Sequence, residues 1–231
     1  MIPDEGRDCS ISLAEQNARV NWNMNSAEDA RAKGAERMPD VRRMEAALQF
    51  ATRVHAAQFR KGTNIPYLAH LLAVCSLVME NGGSEDQAVA ALLHDTIEDQ
   101  AESFGGAQAL RDEIQRQFGD AVLKIVEACT DTDVTPKPPW SDRKKAYVAH
   151  LREVDEAALL VSVADKLHNA RSILADLQRD GDAVFARFKG GKDGTLWYYD
   201  ALAKAFHARA SGWIYDELSR VVAQMNRESG T

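Results

Sequence analysis

The chain has 231 residues, a net charge of −7 and a hydrophobic fraction of 45%. This length allows one sizeable domain, with or without appendages, and the apolar fraction suits a globular protein with a real core. The acidic balance argues against non-specific nucleic-acid binding through overall basicity. Three scattered cysteines indicate neither a disulfide framework nor a cysteine zinc site. Because no apolar run could span a bilayer and no secretory signal opens the chain, we expect a cytoplasmic location.

Hydrophobic periodicity predicts an all-α protein. Residues 1–38 are polar and poor in large aliphatic side chains, so we expect a flexible N-terminal extension there, followed by one domain over 39–231. The predicted helices run from about Asp40 to Phe59, Tyr67 to Glu80, Ser84 through His94-Asp95, Ala107 to Phe118, Ala121 to Ala128, Arg143 to Arg152, Asp155 to Leu177, Thr195 to Ala210 and Trp213 to Asn226. Ser84 and Gln87 match a capping box, and the proline-rich segment 131–142 predicts a loop.

The segment Ala90–Asp99 places an adjacent His94-Asp95 pair directly after an apolar run and follows it with Glu98 and Asp99. Residues three and four apart share one face of a helix, so a continuous helix would gather an imidazole and several carboxylates on one face. Acidic groups are costly to desolvate unless they bind something. Taken alone, the segment fits a solvated helix end equally well.

Asp165 is the most informative single acid, because it lies inside the apolar run 159–170. Buried carboxylates are rare unless they are paired or bound to metal. Divalent metals accept imidazole and carboxylate ligands, which makes His70 a further candidate. The alternatives are a salt bridge to a neighbouring helix for Asp165 and a capped or core histidine for His70.

His70, the His94-Asp95 pair and the distant Asp165 resemble the H…HD…D pattern of HD-domain phosphohydrolases. More closely, five motifs occur in the same order as in the hydrolase domain of RelA/SpoT enzymes, which remove pyrophosphate from the alarmone (p)ppGpp. These motifs are Arg60-Lys61, Pro66-Tyr67-x-x-His70, His94-Asp95-Thr96-x-Glu98-Asp99, Phe118-Gly119 and Ala164-Asp165-Lys166-Leu167-His168-Asn169. The resemblance covers roughly residues 43–205 and implies an HD-domain helical bundle.

The resemblance also implies roles residue by residue. The metal ligands, usually around one Mn²⁺ ion, would be His70, His94, Asp95 and Asp165. The acidic pair that orients the attacking water and handles protons would be Glu98 and Asp99. The substrate contacts would be Arg60 on the base, Lys61 at the edge of the site, Asn169 on the ribose-phosphate and, by a looser match, Tyr199 on a phosphate.

The function that this resemblance implies is a stand-alone small alarmone hydrolase, because only about 25 residues follow the last matching helix. It would release the 3′-pyrophosphate of ppGpp or of an adenosine relative. A phosphatase for another nucleotide 2′- or 3′-phosphate, such as that of NADPH, is an alternative. A nucleotide-binding regulator without turnover is another, although Glu98 and Asp99 argue against it. We expect no nucleic-acid or membrane partner, and we leave open a homo-oligomer and a functional pairing with an alarmone synthetase.

Several other side chains are interpreted less specifically. We favour a solvated helix start for the basic group Lys137 and Arg143-Lys144-Lys145 over guidance of phosphates. His168 is a candidate hydrogen-bond partner of the site, and His55 is interpreted as structural. Trp197, Tyr198 and Trp213 are expected in the core.

Overall fold

The computed structural model describes residues 40–132 and 136–230, so the predicted extension 1–38 lies outside the described residues. Within the described ranges the fold is all-α, as predicted. The α-helices are α1 Val41–Val54, α2 Leu68–Glu80, α3 Glu85–Leu93, α4 Thr96–Gln100, α5 Ala107–Phe118, α6 Asp120–Cys129, α7 Trp140–His150, α8 Glu156–Asp180, α9 Gly191–His207 and α10 Trp213–Glu228. Two 3-10 segments, Glu102–Phe104 and Gly181–Arg187, complete the helical set. No helix in these ranges is both long and apolar enough to cross a membrane.

The centre of the bundle is α8, which packs against α2, α3, α6, α9 and α10. Asp155 caps its N-terminus by accepting a hydrogen bond from the backbone N–H of Ala157 at 3.1 Å. Its apolar face is buried, with Leu159, Val163 and Leu167 at most 1% exposed. The helix predicted over Asp155 to Leu177 is confirmed, and α8 carries Asp165 into the interior.

The predicted capping box fixes the start of α3. The Ser84 hydroxyl accepts from the Gln87 backbone N–H at 3.3 Å, and the Gln87 side chain accepts from the Ser84 N–H at 2.7 Å. Every residue from Ala88 to Leu93 is buried. The helix therefore ends deep in the bundle, where it places His94.

The helix predicted to run through His94-Asp95 is broken at this pair. Helix α3 ends at Leu93, Asp95 leaves the helical region with φ −98° and ψ 1°, and α4 begins at Thr96. The His94 ring turns back on its own helix, where Nδ1 lies 2.8 Å from the carbonyl oxygen of Ala91. The prediction of one continuous helix through this pair is therefore wrong, although Asp95 directly precedes α4 and its charge acts on Asp99.

The first helix also ends earlier than predicted, at Val54 instead of near Phe59. The chain then forms a short two-armed loop, in which Phe59 and Pro66 form an isolated antiparallel bridge. Gly62 turns the loop with a φ of +71°, and a Cβ at this position would lie 2.9 Å from Cδ of Arg187. Arg60 and Lys61 of this loop line the cavity that is described below.

Candidate metal and active site

Two histidines and two aspartates converge from α2, the break after α3, and α8. His70 Nε2 lies 3.2 Å from Asp165 Oδ1 and 3.5 Å from Asp95 Oδ2. His94 Nε2 lies 3.0 Å from Asp95 Oδ2 and 3.7 Å from Asp165 Oδ1. Both imidazoles are at most 1% exposed. The structure thus brings together all four residues for which the sequence resemblance implied metal ligation.

The chemistry of this cluster fits a divalent metal ion. The Nε2 atoms of His70 and His94 are buried and have no hydrogen-bond partner among the described residues. Ligand atoms of these two residues and Asp95 all lie within 4.8 Å of one another. An unsatisfied buried polar atom is costly, and a cation held between imidazole and carboxylate ligands removes that cost.

Hydrogen bonds from outside the cluster fix the orientation of the two imidazoles. His70 Nδ1 and His168 Nδ1 lie 2.7 Å apart, so one of them donates to the other. Burial and the neighbouring His70 lower the pKa of His168 to about 4, so the His168 ring is neutral at pH 7. If His70 donates this hydrogen bond through Nδ1, its Nε2 lone pair faces the cluster, as metal ligation requires. The predicted contact of His168 with the site is confirmed.

The two carboxylates are held in the same way. Tyr67 donates its hydroxyl to Asp95 Oδ2 at 2.5 Å. Asp165 accepts from Lys166 Nζ at 2.6 Å and from Asn169 Nδ2 at 2.5 Å. Burial alone would raise the pKa of Asp165, yet the Lys166 ammonium and the two imidazoles hold that pKa well below its usual value. Asp165 is therefore ionised, as a metal ligand must be.

Glu98 lies on α4 within a cluster of charges that sequence patterns did not reveal. Its Oε1 is 3.1 Å from Lys137 Nζ and 3.9 Å from Arg143 Nη1, and its Oε2 accepts from the backbone N–H of Asp131 at 3.2 Å. The Arg143 side chain is only 11% exposed and pairs with the Asp131 carboxylate. The interpretation as a solvated helix start is therefore wrong for Lys137 and Arg143, which contact Glu98, and for Lys144, which pairs with Asp131 at 2.8 Å. It holds for Lys145, which is exposed. Residues 133–135 of the same predicted loop lie outside the described ranges.

Asp99 lies one residue further along α4, at the rim of the site. It accepts a hydrogen bond from Gln58 Nε2 on Oδ2 at 2.7 Å. Although the residue is exposed overall, protein atoms around its carboxyl group and the nearby Asp95 raise its pKa to about 6. A carboxyl group with such a pKa exchanges protons near neutral pH, which suits acid–base chemistry.

A cavity of about 660 Å³ opens beside Asp99, within the size range of small-molecule sites. All four predicted substrate contacts line it: Arg60, Lys61, Asn169 and Tyr199. Four further cations, which the sequence analysis did not assign to the substrate, line the same cavity: Lys144, Lys166, Arg179 and Arg187. Two carboxylates, Asp99 and Asp176, also line it, and each of these four cations is paired with a carboxylate. Cations still outnumber carboxylates on the walls, which suits a polyanionic ligand.

Two tyrosines of the last helices are buried, whereas two tryptophans predicted to be in the core are exposed. Tyr198 and Tyr199 are each 6% exposed and line the cavity. Trp197 and Trp213 are 41% and 50% exposed, so their assignment to the core is wrong. The Arg171 guanidinium lies 5.7 Å from the centre of the Trp213 ring and covers part of it.

An all-α bundle in which helices converge on a His/Asp cluster, with the adjacent His-Asp pair at its centre, defines the class of HD proteins. The chain belongs to the HD domain family, whose family model matches residues 47–196.

The chain is similar in sequence to proteins of vertebrates and of a bacterium. The protein "Guanosine-3′,5′-bis(diphosphate) 3′-pyrophosphohydrolase MESH1" of Xenopus tropicalis is 40% identical over 130 residues, which cover 55% of this chain and 67% of that protein. The human MESH1 protein is 37% identical over the same shares. A GTP pyrophosphokinase of Streptomyces coelicolor is 30% identical over 201 residues, or 80% of this chain and 22% of that protein.

Solved structures agree on the fold. A metazoan ortholog of SpoT, described as hydrolysing ppGpp, superposes with a TM-score of 0.64 at 23% identity over 84% of this chain and 98% of that chain. A protein of Listeria monocytogenes superposes with a TM-score of 0.56 at 27% identity over 66% of this chain and 96% of that chain. At these identities the first match supports the helical architecture and not the substrate.

Proposed function

We propose that this protein is a metal-dependent hydrolase of guanosine or adenosine polyphosphate alarmones such as ppGpp, from which it releases the 3′-pyrophosphate. The observation that carries the proposal is a His/Asp cluster whose hydrogen-bond partners Tyr67, Lys166 and Asn169 line, together with Asp99, a cavity that several cations also line. The 40% identity to a MESH1 pyrophosphohydrolase supports the same reaction. The products would be GDP and pyrophosphate.

The cavity residues would hold the nucleotide. Arg60 combines a planar face for the base with a charge for phosphate, which lysine does less well. Lys61 and Lys166 would offset phosphate charge. Asn169 already donates to Asp165, so it would connect a ribose-phosphate contact with the metal cluster. Tyr199 lines the cavity, where it would contact a phosphate.

The metal we propose is one Mn²⁺ ion, held by His70, His94, Asp95 and Asp165. When bound, such a cation lowers the pKa of water and neutralises phosphate charge. The water oxygen would bond to the 3′-phosphorus, the bond from that phosphorus to ribose O3′ would break, and O3′ would leave with the proton that Asp99 has taken from the water. Asp99 would accept this proton from the attacking water. Glu98, whose carboxylate contacts Lys137, would orient the water.

The decisive experiment measures product release by purified protein with MnCl₂ and ppGpp. We expect GDP and pyrophosphate in equal amounts, and no release after treatment with EDTA. Activity that survives complete removal of metal would contradict the metal mechanism. Parallel assays with pppApp and NADPH distinguish the substrates, because an NADPH phosphatase would release inorganic phosphate instead of pyrophosphate. Binding of ppGpp without any release would favour a regulatory nucleotide-binding protein.

The wider biology stays a prediction from the sequence. This includes the cytoplasmic location, a homo-oligomeric state and a functional pairing with an alarmone synthetase. Size-exclusion chromatography with light scattering would establish the oligomeric state.

A further inference from the structure

A line of polar side chains leads from the end of α1 to Asp99, and the proposed mechanism does not use it. His55, which is 3% exposed, contacts the Gln58 side chain, with 2.5 Å between Nδ1 and Oε1. Gln100 Nε2 also donates to Gln58 Oε1, at 2.6 Å. The other end of the Gln58 amide, Nε2, donates to Asp99 Oδ2 at 2.7 Å.

The direction of this amide follows from its neighbours. An ionised carboxylate only accepts hydrogen bonds, so the NH₂ group of Gln58 must face Asp99. Its oxygen then faces His55 and Gln100, and each supplies an N–H. Burial lowers the pKa of His55, so its neutral ring carries one proton, on Nδ1, and its Nε2 lies 3.4 Å from the Thr96 hydroxyl.

The rings on this side of the site restrict movement of His55. Its imidazole stacks on the Tyr67 ring with 5.4 Å between centroids and an interplanar angle of 18°. Tyr67 in turn donates to the metal-ligand candidate Asp95. A rotation of His55 would break the stack as well as the bond to Gln58, so the glutamine rests on a rigid support.

Asp99 needs such a support because of where it lies. It belongs to α4, a helix of five residues, and its side chain faces the open cavity. An exposed carboxylate on a short helix samples several rotamers. With Oδ2 held by Gln58, the other oxygen, Oδ1, remains as the acceptor for a proton. Small errors in the orientation of a reacting group lower rates strongly.

We infer that Gln58, clamped between His55 and Gln100, is a positioning residue that sets the Asp99 carboxylate in its working orientation. This inference rests on the proposed function, because Asp99 acts only if the protein hydrolyses its substrate.

The variant Gln58→Met tests the inference, because it preserves side-chain volume and removes the hydrogen bond. We expect kcat to fall about tenfold or more, with KM changed by less than about twofold, because substrate contacts remain while the proton acceptor loses its orientation. Bound manganese should not change. The matched control is Gln108→Met, which removes a hydrogen bond of 2.8 Å from another glutamine to Asp112, outside the site. Full activity of Gln58→Met, or an equal loss in the control, would overturn the inference.

A double-mutant cycle separates positioning from general damage to the fold. In an Asp99→Asn background, Gln58→Met should cause no further loss of kcat, because the group that it positions is already gone. The same fold-loss in both backgrounds would show that Gln58 acts elsewhere and would overturn the inference.

A crystal structure of the Gln58→Met variant gives a readout that does not depend on the substrate. We expect Asp99 to change its rotamer or to occupy more than one. A single, unchanged Asp99 conformer would overturn the inference, whichever nucleotide the enzyme uses. A wild-type protein that releases no pyrophosphate would instead refute the proposed function, and the Asp99 conformer would still decide the role of Gln58.

Discussion

Replacing Asp165 with asparagine tests the metal site most directly, since the change preserves side-chain volume and removes only the charge. The side chain is 7% exposed and lies 3.2 Å from His70 Nε2. An asparagine oxygen is a much poorer metal ligand than a carboxylate. Loss of an outer partner of a metal site already weakens binding about 10- to 100-fold, so we expect at least about 100-fold for this inner ligand.

The size of the effect on stability follows from two separate terms. Without metal, the substitution leaves the Lys166 ammonium, 14% exposed, without the carboxylate that lies 2.6 Å away. Breaking a buried ion pair in this way costs about 3–5 kcal/mol. With metal at 100 times the wild-type Kd, binding adds about 2.7 kcal/mol to the wild type. A 100-fold weaker variant would gain only about 0.4 kcal/mol at the same concentration.

Urea unfolding with and without MnCl₂ measures both terms, and metal analysis of the dialysed protein gives an independent check. Glu217→Gln is the matched control, because Glu217 is also buried, at 8% exposure, and accepts from Arg171 Nη2 at 2.9 Å on another side of α8. The control should lose stability but retain the full increment of about 2.7 kcal/mol with metal. If Asp165→Asn retains that increment as well, Asp165 is not a ligand.

Three further predictions concern Glu98, Asp99 and the packing of Gly190 against Trp140. Glu98→Gln should retain bound manganese and lose about 10²- to 10⁴-fold in turnover, measured as pyrophosphate release; normal turnover would contradict its role. Burial and a neighbouring carboxylate raise the pKa of Asp99 from 3.8 to about 6, so its ionisation destabilises the folded protein as pH rises through this window. Asp99→Asn, unfolded by urea in EDTA, should therefore gain stability relative to the wild type between pH 4 and pH 8, and a difference independent of pH would refute this reasoning. A Cβ at Gly190 would lie 2.6 Å from the Trp140 ring, and one at Gly194 would lie 3.1 Å away. Gly190→Ala should destabilise by about 1–3 kcal/mol, more than Gly194→Ala, and unfolding curves in the reverse order would contradict the packing argument.

The parts of the fold that the sequence predicted depend on local physics. The capping box at Ser84 needs only two residues three apart, and it is present. The apolar run around Asp165 needs only a helix buried on most sides, and α8 is that helix. The acid within this run is 5% exposed, so the argument that a carboxylate there must have partners was sound.

The parts that could not be predicted depend on contacts between distant segments. Tyr67 donates to a carboxylate 28 residues away, and Gln58 to one 41 residues away. Periodicity reports which face of a helix is buried, but it does not report which side chain lies opposite. The break at His94-Asp95 could not be read from the periodicity either, because the partners of this pair, His70 and Asp165, come from other helices.

Glu98 and Asp99 are neighbours in the chain, yet they lie in opposite electrostatic surroundings. Glu98 contacts the cation of Lys137 at 3.1 Å and the backbone N–H of Asp131, and these contacts hold its carboxylate in place. Asp99 faces Asp95 and has a raised pKa of about 6. Two neighbouring carboxylates in different surroundings can take different roles, and here the contacts of one fix its position while the other can exchange a proton near neutral pH. On this argument Asp99 takes the proton and Glu98 orients the water. The pH–rate profile of Glu98→Gln should therefore retain the acidic limb that Asp99→Asn loses.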